Sequence, residues 1–271
     1  IGVPQFPLRH GSSVLVYLPA STREVAAVDR EALRLLHSTR AQTLVRLAPG
    51  LKADRKTLET QAAGSSAQSP RPHTRTLEDQ PLDGGDFVQH RAQFRQRRPG
   101  VLVMEKPRRS LLGRLLGHPG LAGMVCNSVS CPVLFSSGRQ SYARVVLPLQ
   151  PGITDLTLVD AAIDLARMLS LPLCLVRVNL PAFLEAPDKQ DERVAAEIIR
   201  RSRLYGLRIE EVQAEGNPVR ELLRQLRDDD LCVVARRRST RDSFTSPDLA
   251  LRLLAAGGSC LVYTQPAGGS R

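Results

Sequence analysis

Two basic clusters hold the residues best suited to chemistry in this chain: Lys106, Arg108 and Arg109, then Arg236, Arg237, Arg238 and Arg241. A guanidinium presents a planar fork of N–H donors that grips phosphate or carboxylate through paired, charge-assisted hydrogen bonds. Each cluster follows an apolar run of strand character, 100–104 in the first case and 231–235 in the second. Where such a strand belongs to an open α/β sheet, its carboxyl end borders the crevice in which ligands bind. Three ligand classes fit this chemistry: a small anion, a nucleotide held without a glycine-rich loop, or an acidic lipid headgroup. The competing assignment is a solvated basic loop in an arginine-rich chain.

Other chemistry finds little footing. His10, His37, His73, His90 and His118 are scattered, and no Cys or His pair shows metal-ligand spacing. There is no G-x-S-x-G elbow and no acid/base pair that sequence can assemble, so neither an enzyme nor a metal is expected. Asp228, Asp229 and Asp230 read as a solvated turn before a strand. Of Cys126, Cys131, Cys174, Cys232 and Cys260, four sit in or beside expected apolar strands, which reads as buried reduced thiols in a cytosolic protein. The net charge of +11 suits an anionic membrane surface, nucleic acid, or merely a basic composition. No nucleic-acid-binding motif occurs, which leaves nucleic acid without support. No apolar run reaches the roughly 18–20 residues of a membrane span. Beginning at Ile1 rather than Met, the chain reads either as a processed product or as a piece of a longer protein.

The elements that position these residues alternate between strand and helix. The first half predicts a lead-in over 1–10, a strand over 14–19, and a helix capped by Ser21 or Thr22 and running to about 39. A strand over 43–47 follows, then at best a short polar helix over 51–61, and a low-complexity loop over 62–73 expected to be mobile. A weak strand over 74–80, a basic helix over 87–97, the strand over 100–104, a helical region over 111–129 broken at 118–120 and a strand over 131–135 complete it.

The second half repeats this plan. A strand over 143–150 ends at Gln150; Thr154 is the expected cap of a helix over 155–170 carrying Leu158, Ala162, Leu165, Ala166 and Leu169 on one stripe. Strands over 173–178, 207–214, 231–235 and 259–264 alternate with helices over 190–205, behind Asn217–Pro218, and over 247–256; Gly206 stops the first of these. The run Leu44-Val45-Arg46-Leu47 matches Leu175-Val176-Arg177-Val178 at an offset of 131 residues, and the same offset carries 14–18 onto 145–149. The chain therefore reads as a tandem duplication with domains at 1–139 and 140–271, each a doubly wound α/β unit with a five-stranded parallel sheet flanked by helices.

At this point the sequence resembles the universal stress protein family in tandem form. Glu215-Gly216-Asn217-Pro218, followed by Val219, Leu222 and Leu223, resembles the family's entry into its third helix. Ser130-Cys131-Pro132-Val133-Leu134 resembles its usual last strand. The resemblance covers nearly the whole chain and implies pairing of domains through their last strands, with self-association as a further expectation. ATP-binding members carry G-x2-G-x9-G-[ST] after strand four and an Asp after strand one. Here the glycine positions read Met104, Pro107 and Gly117 in one half, and Ala235, Arg238 and a residue near Asp248 in the other. The Asp positions read Pro19 and Gln150. The resemblance therefore implies a non-catalytic sensing or regulatory module without a resident cofactor. It would lie in the cytoplasm, as a domain or partner of a membrane transporter or channel. The alternatives are a free-standing member that binds ATP or another anion through Gly117 and the Lys106–Arg109 loop, and an enzyme of the related nucleotide-hydrolysing type. The latter needs a glycine-rich loop after strand one, which neither half supplies.

Overall fold

The structure is a computed structural model that describes residues 4–58, 74–82, 87–107, 121–139, 141–149, 154–179, 189–237, 249–254 and 258–265. The loop over 62–73, the break at 118–120 and the turn at 151–152 lie outside the described residues. In the first half the elements are β1 (Ser13–Tyr17), α1 (Val25–Ser38), β2 (Thr43–Ala48), β3 (Asp54–Leu58), β4 (Arg75–Pro81), α2 (Phe87–Arg97), β5 (Val101–Glu105), α3 (Leu121–Ser128) and β6 (Val133–Ser136). In the second they are β7 (Arg144–Pro148), α4 (Leu156–Leu169), β8 (Leu173–Asn179), α5 (Lys189–Leu204), β9 (Ile209–Glu215), α6 (Pro218–Gln225), β10 (Asp230–Arg237), α7 (Leu249–Leu253) and β11 (Ser259–Gln265).

The central strands are runs of Val and Leu buried on both faces, as a parallel sheet covered by helices on either side requires. One face carries α1, α4 and α5; the other carries α2, α3, α6 and α7. The strand order β4-β2-β1-β5-β6 in the first half recurs as β9-β8-β7-β10-β11 in the second. The two halves do not form separate sheets. β6 pairs antiparallel with β11, Leu134 opposite Leu261, and joins all eleven strands into one sheet. Because the seam is antiparallel, the carboxyl end of one half-sheet lies beside the amino end of the other.

Three local expectations are corrected. The polar stretch after β2 is a strand: β3 pairs antiparallel with β4 at the sheet edge. Its residues Asp54, Arg55, Lys56 and Thr57 are exposed, so no apolar period announces it, and a charged edge strand resists pairing with other chains. α1 starts after Glu24 with no side-chain cap, rather than behind Ser21 or Thr22. α4 is capped by Asp155, whose Oδ1 accepts the Leu158 amide at 2.8 Å, rather than by Thr154. Asn217 and Gly206 act as expected: Asn217 Oδ1 accepts the Arg220 amide at 3.1 Å, and Gly206 turns the chain out of α5 at φ 68°.

The lead-in is a strap. The Gln5 and Phe6 amides donate to Asp164 Oδ2 of α4 at 2.6 and 3.1 Å, Arg9 pairs with Asp160 at 3.0 Å, and His10 meets Tyr263 edge to face. This explains why α4 is buried beyond its single expected stripe, with Val159, Ala161 and Ile163 also inside. The sheet covers one side of the helix and Phe6, itself buried, helps cover another.

Candidate functional site

In the first half the crevice lies where β1 and β5 end. The Arg23 amide, just ahead of α1, donates to the Glu105 carboxylate at 2.8 Å. The loop amide next to the N-cap of α1 is thus taken by a side chain of the protein. Lys106 turns away across the seam: its Nζ donates to the Gly258 carbonyl, 2.9 Å away, just ahead of β11. Burial holds the Lys106 ammonium below its usual pKa. Beside it lies a sealed polar cluster. Glu31 of α1 is 1% exposed and accepts from the Ser136 hydroxyl and the Tyr142 phenol. Burial pushes the Glu31 carboxyl up, against the hydrogen bonds from Ser136, Ser259 and Gly138 that favour the charged form. Ser137 continues the network, its amide and hydroxyl each 3.0 Å from Ser259 Oγ. The turn that allows this is Gly138 at φ 76°, where an added Cβ would lie 2.9 Å from Ala27.

The second half repeats the pattern with arginine. Arg236 is 2% exposed; its Nη1 donates to Asn127 Oδ1 at 3.0 Å and to the Gly123 carbonyl at 3.3 Å, both on α3 of the first half. Lys106 and Arg236 each stand at the end of strand four of their half, and each reaches into the other half. Arg237, the next residue, is exposed. Asp155, the acid at the start of α4, caps its helix with one oxygen and accepts from Gln265 Nε2 at 2.8 Å with the other. The strands here diverge. β7 and β10 are in register only from Arg144–Asp230 to Val146–Cys232, whereas β10 and β11 stay paired to Arg237–Gln265. The wedge is pinned at its narrow end, where Arg144 grips Asp230 with Nε at 2.9 Å and Nη2 at 3.1 Å.

Of the residues singled out in the sequence, the structure thus places Lys106 and Arg236 in inter-half contacts and Arg237 at the surface. Arg108, Arg109, Gly117, Gln150, Arg238 and Arg241 lie outside the described residues. Asp230 is not part of a solvated turn: it opens β10, is 1% exposed, and also accepts the Arg227 amide at 2.8 Å. The signal available in sequence was the pairing of a basic and an acidic residue at the first positions of two buried strands. Glu31 and Tyr142 had no such signal, since residues 111 apart in sequence form their hydrogen bond. All five cysteines are buried and free, and burial pushes Cys131 up to about 12. Among the described residues no group of His, Cys, Asp or Glu is arranged to hold a metal ion, and no helix is long and apolar enough to cross a membrane.

Neither a protein-family model nor a curated protein sequence matches the chain. Solved structures do. A universal stress protein from Archaeoglobus fulgidus DSM 4304 superposes with a TM-score of 0.63 over 93% of this chain and 96% of its own, at 13% identity. The fold is that of universal stress proteins. A protein of unknown function from Pseudomonas aeruginosa PAO1 shares this universal stress protein fold with a TM-score of 0.56 over 93% of this chain and 92% of its own, also at 13% identity. The cytoplasmic domain of a prokaryotic cation chloride cotransporter has a TM-score of 0.50 over 93% of this chain and 94% of its own, again at 13% identity. At that identity the likeness speaks for the fold.

Proposed function

We propose that the protein is a non-catalytic regulatory module of universal stress protein fold that acts through its surfaces, in the cytosol, as a domain or partner of a membrane transporter or channel. One observation carries this reading. The charged groups at the ends of the two fourth strands, Lys106 and Arg236, bond across to the opposite half, and the Arg23 amide ahead of α1 is already bonded to Glu105. The arrangement of the whole chain, close in extent to a cotransporter's cytoplasmic domain, agrees with such a setting. The +11 charge suits a position near an anionic leaflet.

Two measurements test it. Calorimetric titration with ATP, ADP and cyclic dinucleotides is expected to give no heat at sub-millimolar ligand. Saturable heat would favour instead a free-standing nucleotide-binding protein, for which the divergence of β7 from β10 beside the exposed Arg237 is the supporting feature. The coding sequence around the chain, or co-purification from membranes, tests the transporter setting. A complete gene without a membrane span, together with no membrane partner, refutes it.

A further inference from the structure

A groove of about 650 Å³ lies between α6 and α7, lined by Asn217, Val219, Arg220, Leu223, Arg224 and Arg252. Val219 and Leu223 are one helical turn apart and form an apolar strip, Leu223 being 37% exposed. Around this strip stand three guanidiniums. Arg224 is paired with Glu221 at 3.0 Å; Arg220 and Arg252 make no ion pair among the described residues. An apolar strip bordered by guanidiniums, two of them without an ion pair among the described residues, has a defined complement.

We propose that this groove docks an acidic amphipathic helix of a partner protein. Its apolar residues, one turn apart, would lie on Val219 and Leu223, and flanking carboxylates would meet Arg220 and Arg252. Helix-in-groove recognition uses this combination of anchors at helical spacing and charged rims, and arginine is prominent among residues that dominate interfaces. The shape selects the occupant. Leu223, which lines the groove, is 37% exposed, whereas a small ligand needs a pocket that encloses most of its surface. This proposal rests on the reading of the protein as a module acting through its surfaces, and it names the surface and the chemistry of the partner.

The test uses a fluorescein-labelled synthetic helix with Leu at i, i+4 and i+7 and Glu on both flanks, a scrambled peptide of the same composition, and a Lys-flanked version. Fluorescence anisotropy is read at low and high salt. Saturable, salt-sensitive binding of the Glu-flanked helix alone is expected. The double variant Arg220→Glu/Arg252→Glu, checked for native circular dichroism, is expected to bind it at least roughly tenfold more weakly and to gain affinity for the Lys-flanked helix. Leu223→Ser is expected to weaken both. Equal binding of the scrambled peptide, no saturable binding by the unaltered protein, or indifference to charge reversal overturns the proposal. So does flotation with phosphatidylserine vesicles that charge reversal abolishes while peptide binding is absent, since the surface would then read lipid. None of these failures touches membrane co-purification, which tests the broader reading separately.

Discussion

Removing the Arg144 side chain is expected to be among the most damaging single substitutions in the protein. Its guanidinium donates to both oxygens of Asp230, to the Gln225 carbonyl at 2.9 Å, to Cys174 Sγ at 3.3 Å and to Glu210 at 3.4 Å. Both members of the pair are nearly inaccessible, with side chains 6% and 1% exposed. Arg144→Met would leave the Asp230 carboxylate buried with the Arg227 amide as its remaining described partner. Breaking a buried pair from one side costs about 3–5 kcal/mol. At about 2–4 °C per kcal/mol for a chain of this size, the melting temperature should fall by roughly 6–20 °C. Arg144→Met/Asp230→Leu removes both charges and should recover most of that loss, because desolvation no longer opposes folding. Urea unfolding followed by circular dichroism measures both variants. A cost below about 1 kcal/mol for Arg144→Met, or a double variant as unstable as the single one, refutes the account of the pair as a buried clamp.

Three further substitutions probe the contacts between the halves. Arg236→Met should cost about 1–3 kcal/mol, because Asn127 and the Gly123 carbonyl lose a buried donor, and should leave nucleotide titrations unchanged; unaltered stability with an altered titration would place the residue in a ligand site instead. Asp164→Ala deprives the strap of its acceptor, so the Gln5 and Phe6 amides should exchange hydrogen at least roughly tenfold faster, and unchanged exchange would show that Phe6 burial alone holds the strap. The Glu31 carboxyl is raised above its ordinary 4.5 by burial, so its contribution is present below that value and is lost as pH rises through the raised one. Glu31→Gln removes this titration, and its stability relative to the unaltered protein should therefore improve between about pH 4 and about pH 8 in urea midpoints; a constant difference would mean that Glu31 does not titrate abnormally.

The fold was largely legible because its signals are local. Buried Val and Leu runs mark the central strands, Asn217–Pro218 and Gly206 mark helix ends, and the offset of 131 residues carries β1 onto β7. The same offset carries Lys106 onto Arg237, one residue past the Arg236 that makes the inter-half contact. Sequence therefore located the basic residues at the strand ends but not the direction in which they point. Direction depends on the antiparallel seam between β6 and β11, which brings Gly258 beside Lys106 from 152 residues away. The strap and the Glu31 cluster were silent for the same reason. Each is a polar contact across the seam or onto the opposite half, with no periodicity to announce it. β3 was missed for the opposite reason, since a charged edge strand carries no apolar alternation at all.

The seam contacts also bear on what a ligand would have to do. An anion drawn to the end of β5 meets a Lys106 already donating to Gly258, and one drawn to the end of β10 meets an Arg236 whose Nη1 already donates to Asn127 and Gly123. Turning either side chain fully to the anion would leave a buried carbonyl or amide without its donor, at about 1–3 kcal/mol. Binding that turns either side chain away from its partner is thermodynamically linked to the junction between the halves, and by reciprocity a tighter junction weakens such binding. The groove between α6 and α7 carries no such linkage. Its residues come from one half, and Arg220 and Arg252 form no ion pair among the described residues that a partner would have to break. A partner there gains its charge pairs without opening the junction. A partner helix at that surface would leave the contacts of Lys106 and Arg236 in place.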